Sequence, residues 1–237
     1  RDILEWTEAV LVSDDPAKGL GRAARDDLLM GRLSALVDGV ESRLEVVSAY
    51  LIPGARGAAM FGDLAQAGRR VRLVTNSLEA TDVPIVHSAW MRYRADLVAR
   101  GIEVLELRSR PGARAEREDF SLAQVLTGST SSLHAKTFAI DGRRIFIGSF
   151  NLDPRSAMLN TEMGVLIESP RIAGSLSAAL DDASLFYAVT PAPAGGIEWR
   201  ETGPDGAEQV HRQEPNASLF RRVFVRVGSW LPVEWML

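Results

Sequence analysis

The 237-residue sequence lacks cysteine, which excludes disulfide bonds and thiolate metal sites. It also lacks an uninterrupted apolar run long enough to span a bilayer. Its three histidines are far apart, and none shows the spacing of paired metal ligands. Acidic residues outnumber basic ones, 31 to 27, and a net charge of −4 is a poor match for a nucleic-acid-binding surface. The composition therefore predicts neither a metal nor a nucleic-acid partner.

What the sequence does contain is 46% hydrophobic residues, arranged as short strands and amphipathic helices. Strand-like runs at 44–51, 71–75 and 102–107 are separated by helix-like segments. This alternation predicts an α/β fold with a central sheet. Further strands are predicted at 136–140, 144–148 and 163–168. Helices are predicted at 16–38, 57–67, 86–100, 172–187 and 219–230.

One predicted hairpin carries groups suited to phosphate chemistry. An Asp-Gly pair at 141–142 lies between the apolar strands 136–140 and 144–148, which is a strong signal for a tight turn. Side chains alternate along an extended strand, so His134 and Lys136 share one face. A single strand therefore presents an imidazole and an ammonium group side by side.

Two residues at and after the end of the second strand of the hairpin add further polar groups to the predicted phosphate-binding site. Ser149 ends that strand and Asn151 follows in the turn beyond it. The hairpin register can bring both beside the imidazole and the ammonium group. A nucleophile or base, a fixed cation, a hydroxyl and an amide are suitable parts for holding a phosphate diester as charge builds on its oxygens.

The segment HAKTFAID, followed by GSFN, resembles the signature of the phospholipase D superfamily, HxKxxxxD with a downstream GSxN. The matching positions are His134, Lys136, Asp141, Gly148, Ser149 and Asn151, with Glu162 matching a further downstream glutamate. The segments SAYLIPG, RVRLVTNSLEATDVPIVHSAW and LPVEWML extend the likeness to the C-terminal half of bacterial cardiolipin synthase-like enzymes. The resemblance implies a phospholipase D-like central mixed sheet flanked by helices on both faces.

The resemblance also implies a role for each matched residue. One histidine of such an enzyme attacks phosphorus and forms a phosphohistidine, while a second protonates the leaving alcohol, and His134 would be one of that pair. Lys136 and Asn151 would bind the non-bridging phosphoryl oxygens, with Ser149 nearby. Glu162 would accept a hydrogen bond from His134, which fixes its tautomer. Lys136 supplies the cation, so no cofactor is implied.

Asp141 is also a candidate catalytic residue, although it either organises the motif or serves only as a turn residue. The mechanism needs two HxK histidines, and this chain has one, because neither His87 nor His211 is followed by lysine two residues later. The single motif therefore predicts a partner: either the other catalytic half of the same enzyme or a homodimer mate.

A weaker set of candidates follows the strand 71–75, where α/β sheets commonly bind ligands. Asn76, Ser77 and His87 either line the substrate cleft or are ordinary loop and cap residues. The family likeness divides the chain into a linker between two halves at 1–18, a catalytic domain at 19–189 and a C-terminal extension at 190–237 that packs on it.

Two surface features remain open at this stage. The arginine-rich, polar segment 108–132 is predicted to be a surface loop, either without function or attracting anionic lipid. Apolar residues near the C terminus, beside Arg221, Arg222 and Arg226, either close the core or face a membrane. These apolar residues are Trp230, Leu231, Trp235, Met236 and Leu237.

Phosphatidyl transfer on an anionic phospholipid is the function predicted by the motif and the resemblance together. The protein is expected in the cytoplasm, in peripheral contact with the inner membrane. Alternatives are phosphodiester hydrolysis by the same site, a single-motif nuclease acting as a homodimer, and an incomplete half that binds lipid or a partner without turnover.

Overall fold

The computed structural model describes residues 5–24, 28–109, 132–203 and 205–231, and its centre is a ten-stranded mixed sheet. The strands are β1 Ala9–Ser13, β2 Arg43–Ser48, β3 Arg70–Asn76, β4 Glu103–Leu107, β5 Lys136–Ile140, β6 Arg144–Gly148, β7 Met163–Glu168, β8 Phe186–Pro191, β9 Ile197–Thr202 and β10 Glu208–His211. Their order across the sheet is β1-β7-β6-β5-β2-β3-β4-β8-β9-β10. The strands β2, β3 and β4 are parallel, whereas the remaining pairings are antiparallel.

Helices cover both faces of this sheet. The α-helices are α1 Leu29–Asp38, α2 Gly54–Gln66, α3 Pro84–Ala99, α4 Pro154–Met158, α5 Pro170–Leu180 and α6 Leu219–Gly228. On one face α1, α2 and α3 bury Leu33, Phe61 and Trp90 in the larger core cluster. On the other face α5 buries Leu176 and Leu180 against the sheet. Burial of each such large apolar side chain contributes about 1.5–3 kcal/mol. The predicted mixed α/β architecture is confirmed.

The predicted hairpin is present with the expected turn. Strands β5 and β6 pair from Thr137 opposite Ile147 to Ile140 opposite Arg144. Three residues, 141–143, connect Ile140 to Arg144, and the Arg143 N–H donates to the Ile140 carbonyl oxygen at 3.1 Å. Asp141 and Gly142 both have positive φ angles, 53° and 63°. Asp and Gly tolerate this left-handed conformation better than other residues, which is why this dipeptide sets the register of the motif.

Two predicted helices differ from the structure. The segment predicted as a helix at 172–187 is helical only to Leu180, and a short 3₁₀ turn then leads into β8. Phe186, Tyr187 and Val189 pair with β4, so their apolar side chains stabilise a strand and not a helix. The helix predicted at 16–38 is divided into a 3₁₀ helix, Pro16–Leu20, and α1. The 3₁₀ helix ends at Gly21, whose φ of 67° is left-handed.

The segments outside the predicted catalytic domain belong to the same sheet. Within 1–18, strand β1 pairs with β7 at one edge. Within 190–237, strands β9 and β10 form a small hairpin at the other edge. The role of 1–18 as a link between two halves stays a prediction. Most of the predicted loop 108–132 lies outside the described residues, while Arg108 is ion-paired with Glu201.

The C-terminal helix α6 does not close the core with its large apolar residues. Val225 and Gly228 are its buried positions, and Gly228 allows close packing against Ser88 of α3. Trp230, just beyond the helix, is 79% exposed. The remaining exposed apolar residues of this segment are Leu219, Phe220, Val223, Phe224, Val227 and Leu231. Trp235, Met236 and Leu237 lie outside the described residues. Within the part of the chain that the structure describes, no helix has both the length and the apolar character to cross a bilayer.

Candidate active site

The strand register brings Lys136 and the residues that follow β6 to one end of the sheet, next to His134. Lys136 begins β5 opposite Ser48, the last residue of β2. The His134 side chain is exposed, and within the described residues its ring makes no hydrogen bond. The Lys136 ammonium group is half-buried and donates a hydrogen bond of 3.0 Å to the His134 carbonyl oxygen. Both groups can therefore reach a ligand without unfolding the strand.

The charge state of Lys136 is set by opposing influences. Burial lowers its pKa, whereas the nearby carboxylates of Glu162, Asp82 and Asp153 act to raise it, and the net direction is downward. Burial raises the pKa of Asp153 itself to about 6. A bound phosphate diester would add negative charge beside Lys136 and favour its charged form.

Three phenylalanine rings pack together beneath the strand ends that carry Lys136 and Ser149. The Phe138 ring packs against Phe146 at 5.6 Å and against Phe150 at 6.4 Å between centroids. A Cβ atom at Gly148 would lie 2.7 Å from the Phe146 ring, and one at Gly164 would also clash with this ring. The glycine of the GSFN motif thus makes room for a ring that supports the strand ends.

Glu162 has different partners from the one that the resemblance implied. Its carboxylate accepts hydrogen bonds from the hydroxyls of Ser149 and Ser156, and none from His134. The Ser149 oxygen also accepts a hydrogen bond of 3.1 Å from the backbone N–H of Met163. Ser149 and Glu162, two of the predicted site residues, are therefore hydrogen-bonded to each other.

Asn151 retains hydrogen-bonding capacity. Its amide oxygen is buried and has no hydrogen-bond partner among the described residues. A buried amide atom without a partner is costly and uncommon, so a ligand is a natural partner for it. Rotation of the amide group would place an N–H donor at the same position. This is the property that a group holding a phosphoryl oxygen needs.

Asn76 does not line a cleft but holds the backbone next to His134. Its amide group donates to the Leu133 carbonyl oxygen at 3.1 Å and accepts from the Leu133 N–H at 2.7 Å. It also donates to the carbonyl oxygen of Ala49. Asn76 is 2% exposed, so its function here is to position the chain that carries the imidazole.

Ser77 and His87 are also buried. Ser77 is fully buried and its hydroxyl accepts a hydrogen bond from the Ala80 N–H. The buried His87 ring lies 3.4 Å from Arg94 and 3.6 Å from Glu214. Ser77 thus lies in the turn after β3 and His87 within α3, and a role for either in substrate binding stays a prediction.

The cluster around His87 has the geometry of a metal site but contains an arginine. Ligand atoms of His87, Glu106 and Glu214 lie within 4.8 Å of one another. The Arg94 guanidinium, however, donates to both carboxylates. The charges of Glu214 and Glu106 raise the pKa of Arg94, although burial opposes them. We interpret the cluster as a buried ion network that joins α3 to the segment before α6.

Asp141 lies at the opposite end of β5 from Lys136. Five residues of extended strand separate the two by roughly 17 Å. The Asp141 carboxylate accepts hydrogen bonds from the backbone N–H groups of Ser42 and Arg43. Although burial acts in the other direction, these bonds lower the pKa of Asp141. Its contacts agree with the organising role considered from the sequence.

Sequence reasoning missed the residues that hold the Glu162 backbone. The carboxylate of Asp14 accepts a hydrogen bond of 2.9 Å from the Glu162 N–H and is ion-paired with Lys18 at 2.7 Å. Lys18 also donates to the Ser156 carbonyl oxygen. Both charged side chains are at most 1% exposed. Their only sequence signal was the charged segment DDPAK in a region predicted to be a linker.

Replacing Lys18 is expected to destabilise the fold, because Asp14 would remain as an uncompensated buried charge. Removing one partner of a buried pair typically costs about 3–5 kcal/mol. For a chain of this size we expect Lys18→Met to lower the melting temperature by roughly 6–20 °C. Arg100→Met is the matched control, because Arg100 forms an exposed ion pair with Asp96 at the same spacing. Equal melting temperatures for the two variants would contradict the importance of the buried pair.

Comparison with known proteins identifies the family of the chain. The family model described as cardiolipin synthase, phospholipase D-like domain, matches residues 33–183. The chain therefore belongs to this family. Cardiolipin synthase C of Escherichia coli strain K12 is 39% identical over 236 residues, covering 99% of this chain and 49% of that protein. Cardiolipin synthase B of the same strain is 31% identical over 145 residues, covering 60% and 29%.

Solved structures show the same fold. The phospholipase D family member Nuc from Salmonella typhimurium matches with a TM-score of 0.53 and 17% identity, covering 77% of this chain and 99% of that one. Phosphatidylserine synthase from Haemophilus influenzae matches with a TM-score of 0.52 and 18% identity, covering 73% and 38%. The alignment with cardiolipin synthase C includes 99% of this chain, yet the chain spans only about half the length of that protein.

Proposed function

We propose that this chain is one catalytic half of an enzyme that transfers a phosphatidyl group between alcohols through a phosphohistidine intermediate. The observation that carries the proposal is the cluster of an exposed His134, a half-buried Lys136 and a buried, unpartnered Asn151 amide at one sheet end. Cardiolipin synthase C is 39% identical over 99% of this chain, and this similarity supports an anionic phospholipid as the substrate.

In the proposed reaction, one histidine is the nucleophile and a second histidine is the general acid and base. A nitrogen of one imidazole attacks phosphorus, and the bond from phosphorus to the leaving alcohol breaks as the second imidazole protonates the departing oxygen. The second imidazole then removes a proton from the incoming alcohol. That alcohol attacks phosphorus and the phosphorus–nitrogen bond breaks. Lys136 and Asn151 hold the non-bridging oxygens in both steps. His134 is one of the two histidines.

The second histidine must come from outside this chain. Lys136 lies in the only HxK motif of the sequence, and His87 is buried in the network with Arg94. We favour the other catalytic half of the same enzyme as the partner, because cardiolipin synthase C is twice as long as the matched region. A homodimer mate is the second candidate.

Hydrolysis by the same site remains the runner-up activity, and nuclease action is less favoured. The carboxylates of Asp82, Asp153 and Glu162 surround Lys136 closely enough to influence its pKa. Negative charge around Lys136 disfavours the binding of a nucleic acid, because nucleic-acid-binding sites usually have a basic surface.

The test is a transfer assay on the full-length protein, with anionic phospholipid vesicles and an added alcohol. We expect phosphatidyl transfer to continue in excess EDTA, because Lys136 supplies the positive charge that a metal ion would otherwise provide. Loss of activity in EDTA with recovery on adding a divalent cation would contradict this account. Cleavage of nucleic acid without any lipid turnover would favour the nuclease.

We also propose that α6 brings the protein to an anionic membrane as a peripheral contact. Its exposed apolar side is flanked by the exposed Arg226, and the segment 219–231 contains no acidic residue. Each arginine near an anionic surface contributes on the order of 1 kcal/mol. Arg221 donates a hydrogen bond of 2.7 Å to the Thr81 carbonyl oxygen, which ties the helix to the loop beside the site.

Replacing Phe220 and Trp230 together by aspartate is expected to weaken binding of the full-length protein to phosphatidylglycerol vesicles by about tenfold or more. Hydrolysis of a soluble short-chain diester should be unchanged, because the site itself is intact. Val210→Asp is the control, since Val210 is an exposed apolar residue on β10. If the double variant loses short-chain activity as well, α6 contacts the other half and not the membrane.

A further inference from the structure

A tyrosine and an aspartate that the sequence reasoning did not single out lie beside the catalytic groups. The Tyr50 hydroxyl is 3.3 and 3.4 Å from the two carboxylate oxygens of Asp82. Asp82 is exposed and Tyr50 is half-buried, with its ring against Ile52 and Val86. Burial and the Asp82 charge raise the pKa of Tyr50, so its hydroxyl stays protonated and donates to the carboxylate.

Strand register places this pair next to His134. Beyond the end of the β2–β5 ladder, the Ala49 N–H still donates to the Ala135 carbonyl oxygen at 3.2 Å. Tyr50 directly follows Ala49 and His134 directly precedes Ala135, so their backbones are neighbours just beyond the paired residues of the two strands. The Tyr50–Asp82 pair therefore lies close to the residue that carries the imidazole.

Asp82 influences the phosphate-binding lysine without pairing with it. Burial lowers the pKa of Lys136, and the Asp82 charge opposes this shift. No ion pair within 4.0 Å joins the two groups in the described structure, where the Lys136 ammonium bonds the His134 carbonyl oxygen. A carboxylate repels a phosphate but accepts hydrogen bonds from a hydroxyl or an ammonium group. The Asp82 side chain is exposed and can therefore accept such a hydrogen bond from a ligand.

We propose that Tyr50 and Asp82 form the subsite for the acceptor alcohol, where Asp82 accepts a hydrogen bond from a second donor group of that alcohol. The inference rests on the proposed transfer function and deepens it. The fitting ligand is an alcohol that carries another hydroxyl or an ammonium group near the reacting oxygen, such as a glycerol or ethanolamine headgroup. The Tyr50 hydroxyl orients the carboxylate, and neither residue forms or breaks a covalent bond.

The test compares acceptors in the full-length enzyme with a fixed phospholipid donor. Asp82→Ala should lower transfer to glycerol and to ethanolamine by about tenfold or more, the usual effect of losing a charge-assisted hydrogen bond. Transfer to ethanol, which has no second donor, and hydrolysis by water should fall by a smaller factor that is common to both, because the Asp82 charge also acts on Lys136. Tyr50→Phe should give a smaller loss in the same direction, because the carboxylate remains.

Further variants separate the ligand types and the modes of failure. Asp82→Asn removes the charge but keeps an acceptor oxygen, so an ammonium-bearing acceptor should lose more than glycerol does. Asp63→Ala, an exposed aspartate of α2, is the control for charge and folding. Equal losses with ethanol and glycerol would overturn the subsite while leaving the transfer function intact. Absence of transfer to any alcohol by the wild type would overturn both.

Discussion

His134→Ala and Lys136→Ala are each expected to lower phosphatidyl transfer by the full-length enzyme by at least about 10³-fold, with the fold intact. In the proposed mechanism, His134 supplies either the nucleophile or the acid, and Lys136 supplies the cation that offsets charge on the phosphoryl oxygens. Neither side chain contributes to the core: His134 is exposed and Lys136 donates only to a backbone carbonyl. The measurement is transfer of labelled phosphatidyl groups, with melting temperature as the test of folding.

His211→Ala is the matched control for this prediction. The His211 ring is half-buried and bonds Glu201 at 2.8 Å on β9, at the far side of the sheet. Its loss should leave transfer near wild type. A His134→Ala enzyme with the wild-type transfer rate would remove His134 from the mechanism.

The isolated 237-residue chain is expected to transfer phosphatidyl groups about 10²–10⁴-fold more slowly than the full-length enzyme. Once one imidazole attacks phosphorus, the departing alkoxide needs a proton, and this chain has no second HxK histidine to supply it. The same absent imidazole would deprotonate the incoming alcohol, so both steps are impaired. The measurement is a lipid assay on the purified chain over a wide concentration range, with and without the separately produced other half.

The concentration series decides between the two partners. Recovery only on adding the other half supports a split site within one enzyme. A steep rise in specific activity with the concentration of the chain alone would support a homodimer. Full-length rates from a strictly monomeric chain would refute the incomplete site altogether.

Local sequence patterns predicted the catalytic hairpin because the forces that form it are local. Alternating apolar residues and the left-handed Asp141–Gly142 turn determine β5 and β6 within 13 residues, from Lys136 to Gly148. The same reasoning failed at 172–187. There the apolar spacing suits both a helix and a strand, and pairing with β4 decides for the strand beyond Leu180.

The supporting contacts of the site were hidden because they join distant parts of the chain. Asn76 bonds Leu133 across 57 positions, and Asp14 bonds Glu162 across 148. Neither contact leaves a periodic or compositional signal. The same limit applies to α6: the sequence left open whether the apolar residues of this region close the core or face a membrane, and in the structure Phe220 is 79% exposed. Amphipathicity identifies the helix but not the medium that its apolar side meets.

Trapping of a covalent intermediate tests the central claim most directly. The full-length protein would be mixed with phospholipid labelled at phosphorus, quenched in alkali within a single turnover and digested for peptide analysis. The account predicts labelled phosphorus bound to a nitrogen of an HxK histidine, by a bond that is stable to alkali and lost in acid, while the alkali removes the acyl chains of the lipid. This species should not form at a productive rate in His134→Ala. Transfer that proceeds at the wild-type rate without any histidine adduct would contradict the account.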